Sequence, residues 1–282
     1  MRDTDERSTF TTPNGPISYV DRGAGPPVVA IHGNPSSASE FLPAFDALTD
    51  SYRCIAPDLL GFGCSAKPVD WDHLPRSHAA NVAGLLDSLD LWDVTMVVGD
   101  WGGPIGLSWV LDHPERVRRV VITNSWMWPL DRSWYYRAYS ALAGGPIGRH
   151  LTEKHNLFAR RVVPAVWGTA TPLTPERHAE FTDVHHRAAE RRGMWVLPRE
   201  VVGSSAWLRT LWDRREVLAT LDVVLLWGMR DRAFREDILD GWVDALPAAR
   251  VERLAGVGHF PALEATDRLV EAVSTAAPRG SR

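Results

Sequence analysis

A short β-branched run that ends in an acid, a tryptophan and two glycines constrains the fold more than any other stretch. Thr95 to Val98 is typical of a buried strand, whereas Pro104 to Leu111 favours a helix. So short a turn between strand and helix tolerates only small neighbours. It lifts one side chain above the end of the sheet, with the helix N-terminus behind it. The raised side chain in this sequence is Asp100.

Asp100 stands where such a turn usually carries a serine nucleophile. A carboxylate attacks amides poorly, but it can displace a leaving group from an sp³ carbon and form an ester that water must then cleave. The simpler interpretation is an aspartate that forms a turn or caps the next helix, because Asp is common at both places. The rest of the chain has to decide between these two interpretations.

Length and composition are those of an ordinary globular enzyme with one large α/β domain. The chain has 282 residues, of which 45% are hydrophobic, and a formal net charge of -4. We expect no binding to nucleic acid or to an anionic membrane, because both favour a basic surface. The 13 tryptophans are consistent with an aromatic-lined pocket or cap, or simply with a large core.

The cysteines and the N-terminus bear on metal binding, disulfide bonds and cellular location. Cys54 and Cys64 are too few for a disulfide framework or a four-ligand zinc site, and the apolar surroundings of Cys54 predict that it is buried. Residues 1–9 are polar and are predicted to form a disordered tail. They contain no apolar signal segment, and the chain has no span long enough to cross a bilayer. We therefore expect a cytoplasmic protein.

Strands and helices alternate through the first half of the chain. Two short strands broken by a turn at residues 13–16 come first. Buried strands are then predicted at 28–31, 52–56, 95–98 and 117–123, with helices at 39–48, 76–89 and 104–111. This alternation predicts right-handed crossovers and a mostly parallel sheet with helices on both faces. Residues 32–35, 58–63, 100–103 and Asn124 follow these strands, so we expect them to line one rim, where such sheets carry their chemistry.

The alternation stops between residues 126 and 219, which we interpret as a helical cap inserted over that rim. The segment has no convincing buried strand and is rich in aromatic residues, among them Tyr135, Tyr136 and Tyr139. Caps of this kind exclude water from a site, and a second small domain without a catalytic role is the alternative. Strands at 223–227 and 250–254 and helices at 236–246 and 264–273 follow. The predicted organisation is a core of residues 1–125 and 220–282 interrupted by a cap of residues 126–219.

Three residues that follow predicted strands stand in the order nucleophile, acid, base: Asp100, Asp231 and His259. This is the chain order of the triad in α/β-hydrolases. Taken singly, Asp231 is explained as a helix cap and His259 as a surface loop residue, but their joint occurrence in this order favours a triad. In some α/β-hydrolases the acidic residue of the triad follows the strand before the cap. Here Asn124 occupies that place, so Asp231 has no competitor.

Over nearly its whole length the chain resembles the haloalkane dehalogenases of the α/β-hydrolase superfamily, and most of all the subfamily usually numbered three. The discriminating part is Asn34 combined with Asp100-Trp101. The sequence departs from the family at Ser36–Glu40, where a bulky aromatic residue is usual, so we expect a different pocket wall on that side. The matching motifs are His32-Gly33-Asn34-Pro35, Asp58–Ser65, Asp100-Trp101-Gly102-Gly103-Pro104, Asn124-Ser125-Trp126, Trp227-Gly228-Met229-Arg230-Asp231 and Gly258-His259-Phe260.

The resemblance implies hydrolytic dehalogenation of haloalkanes to alcohol, halide and proton through an aspartyl ester on Asp100. It implies that the side-chain amide of Asn34 and the indole N–H of Trp101 bind the departing halide, and that the backbone N–H groups of both residues form the oxyanion hole. His259, oriented by Asp231, would activate the water that cleaves the ester. No metal or organic cofactor is implied, and the expected partners are a small hydrophobic halogenated substrate and a halide ion. A core role for Trp101 and a turn role for Asn34 are the simpler alternatives.

Two other functions stay open. An epoxide hydrolase shares the Asp nucleophile, the His base and the following Trp, but it usually carries Phe in place of Asn34. It would use cap tyrosines to protonate the opening oxirane. A non-catalytic ligand receptor on the same fold would bind a ligand without turnover, whereas an ester hydrolase is disfavoured because Asp100 replaces Ser. The aromatic residues of the cap also prompt the hypothesis of a homo-oligomer.

Overall fold

An eight-stranded sheet forms the centre of the computed structural model, which describes residues 7–275. The strands lie in the order β1-β2-β4-β3-β5-β6-β7-β8. β1 pairs antiparallel with β2, and β2 with β4, whereas all other neighbours are parallel. The predicted mostly parallel sheet is confirmed. The strands are β1 (Arg7–Thr12), β2 (Gly15–Arg22), β3 (Pro27–Ile31), β4 (Arg53–Pro57), β5 (Val94–Gly99), β6 (Val117–Thr123), β7 (Asp222–Gly228) and β8 (Arg250–Leu254).

Twelve α-helices belong to the described residues 7–275. None of them is long and apolar enough to cross a membrane. They are α1 (Leu42–Leu48), α2 (Pro75–Ser88), α3 (Gly102–Asp112), α4 (Trp134–Ala143), α5 (Pro146–His155), α6 (Val163–Val166), α7 (Pro175–Thr182), α8 (Arg192–Gly203), α9 (Ser205–Trp212), α10 (Glu236–Ala245), α11 (Pro261–Glu264) and α12 (Thr266–Ser274).

The central strands are continuous apolar runs because helices cover both faces of the sheet. Every residue of β3 and β5 is buried. Val29 and Ile31 pack into a large cluster with residues of α2, α3 and α10, whereas Val28 and Ala30 pack into a second cluster with α1 and α12. Alternate residues of one strand therefore face opposite layers of helices, as expected for a sheet covered on both sides.

All of α4 to α9 lie between β6 and β7. Residues 124–221, all of which the structure describes, form helices, turns and loops without a strand. This helical insertion lies next to the carboxyl end of the sheet, because Val166 and Trp167 approach Gly258 in the loop after β8. The insertion therefore covers the rim where the predicted site residues follow their strands.

The prediction of a disordered tail over residues 1–9 is wrong for its last part. Residues 1–6 lie outside the described residues, but Arg7 to Thr9 belong to β1 and pair with β2. The Arg7 guanidinium also donates to Asp58 Oδ2 at 2.7 Å. Backbone pairing and one ion pair hold this polar segment in the sheet. Because both contacts are polar, no apolar pattern in the sequence predicts the strand.

The helix predicted at residues 39–48 begins later than expected. Residues 38–41 form a separate 3₁₀ turn, which we call the 38–41 turn, and α1 begins only at Leu42. The Ser37 hydroxyl caps the turn by accepting from the Ser39 N–H, and Asp58 Oδ1 accepts from the Ala38 N–H at 2.7 Å. These side-chain acceptors stabilise a tight first turn in place of a regular α-helical start.

Candidate active site

Asp100 occupies the turn between β5 and α3 that the sequence predicts. Its φ is +47°, in the left-handed region. A Cβ on Gly102 would collide with the carbonyl oxygen of Ile31, and one on Gly103 with the Ser125 hydroxyl. The two glycines are therefore required for the turn to fit against β3 and the strand end after β6.

The structure brings Asp100, His259 and Asp231 together from three separate loops. His259 Nε2 lies 3.6 Å from Asp100 Oδ2, and His259 Nδ1 lies 2.8 Å from Asp231 Oδ2. Asp231 and His259 are buried. The imidazole thus bridges the two carboxylates, in the order expected of a triad in which Asp100 replaces serine.

Asp231 is held by further hydrogen bonds. Its Oδ1 accepts from the Ala233 N–H at 2.7 Å, and its Oδ2 accepts from the Asn124 side-chain amide at 3.0 Å. The Asn124 amide also donates to the Gly228 carbonyl, and its oxygen accepts from the Gly228 N–H at 2.7 Å. Asn124 thus ties the end of β6 to the end of β7 and to the carboxylate that orients His259.

The neighbouring charges favour the protonated form of His259. Burial alone lowers the pKa of its imidazole, but the carboxylates of Asp231 and Asp100 outweigh burial and hold that pKa well above its ordinary value. A buried imidazolium between two carboxylates is a stable arrangement.

An apolar cavity of about 200 Å³ opens onto Asp100. Asn34 and Trp101 lie beside it, as the resemblance implies, and Trp101 packs edge-on against Trp126 with ring centroids 4.6 Å apart. The segment Ser36–Glu40 is mostly buried away from this cavity, apart from the half-buried Ser39. The cavity is lined by Asn34, Asp100, Trp101, Tyr135, Tyr136, Tyr139, Val162, Val166, Val201, Arg232, Ala233 and Phe234.

Two N–H donors at this cavity are free of protein partners. Within residues 7–275 neither the indole N–H of Trp101 nor the side-chain NH₂ of Asn34 donates a hydrogen bond, and neither is among the fully buried atoms without a partner. The backbone N–H of Asn34, in contrast, donates to Asp100 Oδ1 at 2.7 Å. One oxygen of the carboxylate is thus fixed, and the residues that carry the two unpaired donors line the same cavity as Asp100.

The three tyrosines of α4 have different hydrogen bonds. The Tyr135 hydroxyl donates to the Arg232 carbonyl at 2.7 Å, and the Tyr136 hydroxyl donates to the Ala233 carbonyl at 2.9 Å. The Tyr139 hydroxyl has no hydrogen bond to any other residue in the described part of the chain. Burial and the nearby Asp100 charge raise the pKa of Tyr139, which keeps it protonated. Tyr139 is therefore the cavity tyrosine whose hydroxyl is available.

The loop that carries His259 is braced by residues that the sequence analysis missed. The Glu264 carboxylate accepts from the N–H groups of Gly168, Gly258 and Phe260 at 2.7, 2.9 and 3.1 Å. The Val166 carbonyl accepts from the His259 N–H at 2.9 Å. These contacts join segments that are far apart in sequence, and the only local signal is an acidic residue at the end of the short helix α11.

Residues 7–275 include no group of three or more His, Cys, Asp or Glu side chains arranged to hold a metal ion. The buried histidines outside the triad, His32, His73, His78 and His185, pack around Phe62 and Trp71 instead. Burial lowers their pKa values, so they are neutral at pH 7. They form part of the core beneath the site.

A family model described as the alpha/beta hydrolase fold matches residues 26–266. A structural relative, the haloalkane dehalogenase DatA from Agrobacterium tumefaciens, superposes with a TM-score of 0.82 at 25% identity, covering 95% of both chains. The fold and the site thus define an α/β-hydrolase enzyme.

Two curated relatives match nearly the whole chain. Haloalkane dehalogenase 2 from Mycobacterium tuberculosis is 34% identical over 272 residues, which is 95% of this chain and 93% of that protein. A cis-3-alkyl-4-alkyloxetan-2-one decarboxylase from Shewanella oneidensis is 28% identical and covers 93% of this chain and 85% of its own length. The chain belongs to the haloalkane dehalogenase family of α/β-hydrolases.

Proposed function

We propose that this enzyme hydrolyses haloalkanes to an alcohol, a halide and a proton through an ester on Asp100. The observation that carries the proposal is one apolar cavity lined by Asp100 together with Asn34 and Trp101, whose side-chain N–H groups donate no hydrogen bond within residues 7–275. A departing halide accepts hydrogen bonds weakly, so it needs preorganised donors in a dry site. Tryptophan suits this task because its indole N–H donates but cannot accept or titrate.

The first step is displacement of the halide by Asp100 Oδ2. Oδ1 is held by the Asn34 backbone N–H at 2.7 Å, which leaves Oδ2 as the oxygen free to attack. A new bond forms from Oδ2 to the substrate carbon while the carbon–halogen bond breaks and its electron pair leaves with the halide. The negative charge moves from the carboxylate to the halide, toward the two side-chain donors.

Formation of the ester prepares His259 for the second step. While Asp100 is ionised, its charge helps to raise the pKa of His259. The ester is neutral, so that contribution disappears and the ring can give up its proton and act as a base. Neutral His259 then takes a proton from the water that attacks the ester, Asp231 stabilises the imidazolium, and the Asn34 N–H on Oδ1 stabilises the tetrahedral intermediate.

We assign residues 126–219 as the cap and residues 1–125 and 220–282 as the core. Tyr139, Val162, Val166 and Val201 from the inserted segment line the cavity opposite Asp100. These side chains exclude water and contact the alkyl part of a substrate. A cavity of about 200 Å³ suits a small hydrophobic halogenated substrate.

Self-association of this protein through exposed apolar residues of the cap is a further hypothesis. Trp134, Leu142 and Ile147 expose 79%, 68% and 70% of their surface on α4 and α5. Light scattering checks whether they support self-association, and a monomer at all concentrations would exclude it.

Product release from a short brominated alkane tests the proposed function. We expect equal release of halide and proton by the wild type, no release by Asp100→Ala, and a fall of about a hundredfold in kcat/KM for Asn34→Ala, because that variant loses one halide donor. Asn14→Ala is the matched control, since Asn14 lies in the exposed turn between β1 and β2. Halide release that persists in Asp100→Ala would refute the mechanism.

Opening of a strained oxygen ring by the same site is a second candidate activity, and Tyr139 is the observation that favours it. Its unpaired hydroxyl at the cavity is suited to donate to a ring oxygen that leaves as Asp100 attacks the carbon. A relative named for a decarboxylase of oxetan-2-ones, which are four-membered oxygen rings, supports this chemistry. Diol formation from a short alkyl epoxide that is lost in Tyr139→Phe but kept in Tyr136→Phe is the expected result. Equal diol formation by Tyr139→Phe and the wild type would exclude it.

A further inference from the structure

A fourth ionisable group, Glu40, lies beside the triad and has no part in the chemistry above. It belongs to the 38–41 turn and exposes only 5% of its surface. Its Oε1 lies 3.9 Å from the position that a Cβ on Gly99 would occupy, and Gly99 directly precedes Asp100. The 38–41 turn also packs against α11, which begins two residues after His259. The 38–41 turn therefore lies next to the segments that carry Asp100 and His259.

Within residues 7–275, no Lys or Arg side chain forms an ion pair with Glu40. The elements that pack against the 38–41 turn are β3, β4, α1 and α11, and β3 carries no ionisable side chain. Arg53 on β4 pairs with Asp21, and Asp46 on α1 pairs with Arg22.

The other carboxylates near the 38–41 turn are satisfied by their own donors. Asp58 accepts from Arg7 and from the N–H groups of Ala38 and Cys64, and Glu264 on α11 accepts from three backbone N–H groups. The charges that act on Glu40 are therefore those of His259 and Asp100. Burial and Asp100 raise the pKa of Glu40, while Ser36 and His259 lower it, and the balance is a pKa of about 7.

We propose that Glu40 is a positioning residue for cleavage of the ester: as a carboxylate, it stabilises the imidazolium that forms when His259 takes a proton from water. This role rests on the proposed function. Ionised Glu40 supplies a negative charge that acts on His259 at the stage when the ester has removed the charge of Asp100. Because the charge acts on the imidazolium more than on the neutral ring, it lowers the barrier to hydrolysis.

The proton balance of the reaction is unchanged. The attacking water gives its proton to His259, which passes it to the departing alkoxide, and the acid regenerated at Asp100 loses one proton to solvent. Glu40 exchanges its own proton only with solvent, so one proton is released for each halide.

Glu40 therefore acts on the second step and leaves the first largely alone. In Glu40→Gln we expect a normal halide burst followed by ester hydrolysis that is about tenfold slower, the equivalent of about one unit in the pKa of His259. The ester should then accumulate on Asp100, where mass spectrometry of the acid-quenched enzyme detects it. Glu40→Asp should recover part of the rate because it restores a carboxylate.

The pH profile supplies a readout that loss of packing would not produce. Hydrolysis by the wild type should rise with pH both as His259 loses its proton and as Glu40 ionises near pH 7, and only the contribution of Glu40 should be absent in Glu40→Gln. Glu200→Gln is the matched control, because Glu200 is equally buried but lies on α8, paired with Arg199. It should keep both the burst and the contribution of Glu40 to the pH profile.

The two proposals fail in different ways. A wild type without a halide burst would overturn the proposed function and the role of Glu40 with it. A normal burst in Glu40→Gln with hydrolysis as fast as in the wild type would overturn the role of Glu40 alone. If Glu40→Gln does not fold, Glu40→Asp decides: a pH profile of ester hydrolysis identical to that of the wild type would overturn the proposal.

Discussion

Asn124 donates a 3.0 Å hydrogen bond to Asp231 Oδ2, the same oxygen that lies 2.8 Å from His259 Nδ1. One carboxylate oxygen is thus shared between the imidazole of His259 and an amide whose oxygen and nitrogen both form further hydrogen bonds. Asn124 and Gly228 exchange two hydrogen bonds, so the amide cannot rotate without breaking them. Asp231 is held by a rigid frame, and the orientation of His259 depends on that frame.

Replacement of Asn124 should therefore impair catalysis although Asn124 does not line the cavity. Asn124→Ala removes a hydrogen bond to a charged group, and we expect a loss of about 2 kcal/mol, or roughly thirtyfold in the rate of ester hydrolysis. Burst kinetics measure this directly, because the halide burst should stay close to that of the wild type. Asn156→Ala is a suitable control, since Asn156 is also buried with a positive φ but lies at the end of α5. Hydrolysis at the wild-type rate would show that Ala233 alone holds Asp231.

The turn at Asp100 should tolerate no side chain at Gly102. Because a Cβ there would meet the backbone carbonyl of Ile31, Gly102→Ala has to displace β3 or α3, and we expect a loss of about 3 kcal/mol or more in the free energy of unfolding. Gly84→Ala is the matched control. Gly84 lies within α2, and a Cβ there would make only ordinary van der Waals contact with Phe10 of β1. We therefore expect a gain of about 0.5–1 kcal/mol in the free energy of unfolding. Urea denaturation measures both changes, and equal stability of the two variants would contradict the assigned geometry.

The histidines beneath the site should make the fold sensitive to acid. Burial lowers the pKa of His73 and of His185 to about 4 and lowers that of His78 well below its ordinary value. In the unfolded chain these groups titrate near their ordinary value of about 6.5, so the unfolded state binds more protons. The contribution of these neutral histidines to the free energy of unfolding is fully present above pH 6.5 and is lost as the pH falls from about 6.5 through 4.

His78→Phe should reduce this sensitivity. Neither ring nitrogen of His78 has a hydrogen bond, and the ring packs against Trp71 with centroids 4.6 Å apart, so phenylalanine keeps the packing and removes the titration. We expect the variant to gain stability over the wild type as the pH is lowered from about 7 to 5. Urea denaturation at both pH values provides the test. The prediction fails if the difference between the two proteins is the same at each.

Loss of the Glu264 carboxylate should loosen the loop that carries His259. Glu264→Leu leaves the N–H groups of Gly168, Gly258 and Phe260 without their acceptor, and an unpaired buried donor costs about 1–3 kcal/mol. We therefore expect a clear fall in thermal stability and in kcat. Glu271→Leu on the exposed side of α12 serves as the control. An unchanged melting temperature would show that the loop is held by other contacts.

The strands, and the meeting of Asp100, Asp231 and His259 at one rim, could be predicted because both leave local patterns. β6 and β8 begin and end at the predicted residues, since apolar and β-branched runs are bounded by turn residues. Asp100, Asp231 and His259 each follow such a run directly, and in a parallel sheet that brings them to one rim. The expected pairing of Asn34 with Trp101 came from the family resemblance, and the structure places both at the same cavity.

The remaining parts depend on contacts that no local pattern encodes. Glu40 and Glu264 are isolated acids in sequence, and their surroundings arise only when the 38–41 turn and α11 pack near His259. Tyr135, Tyr136 and Tyr139 lie within one helix, and only the position of the loop after β7 decides which hydroxyls are occupied by carbonyls. The extra length of β1 depends in the same way on the distant partner Asp58.

The hydrogen bond from His259 N–H to the Val166 carbonyl limits how this scaffold can be recombined. The N–H groups of Thr169 and Ala170 bond to the Gly256 carbonyl, so a loop within the insertion and the loop after β8 are joined by backbone atoms. A chimaera that exchanges the whole helical segment for one from another hydrolase would transplant new substrate contacts. It would also remove part of the backbone support of His259. Recombination that aims at new specificity should therefore join the segments so that residues 166–170 stay with the recipient chain.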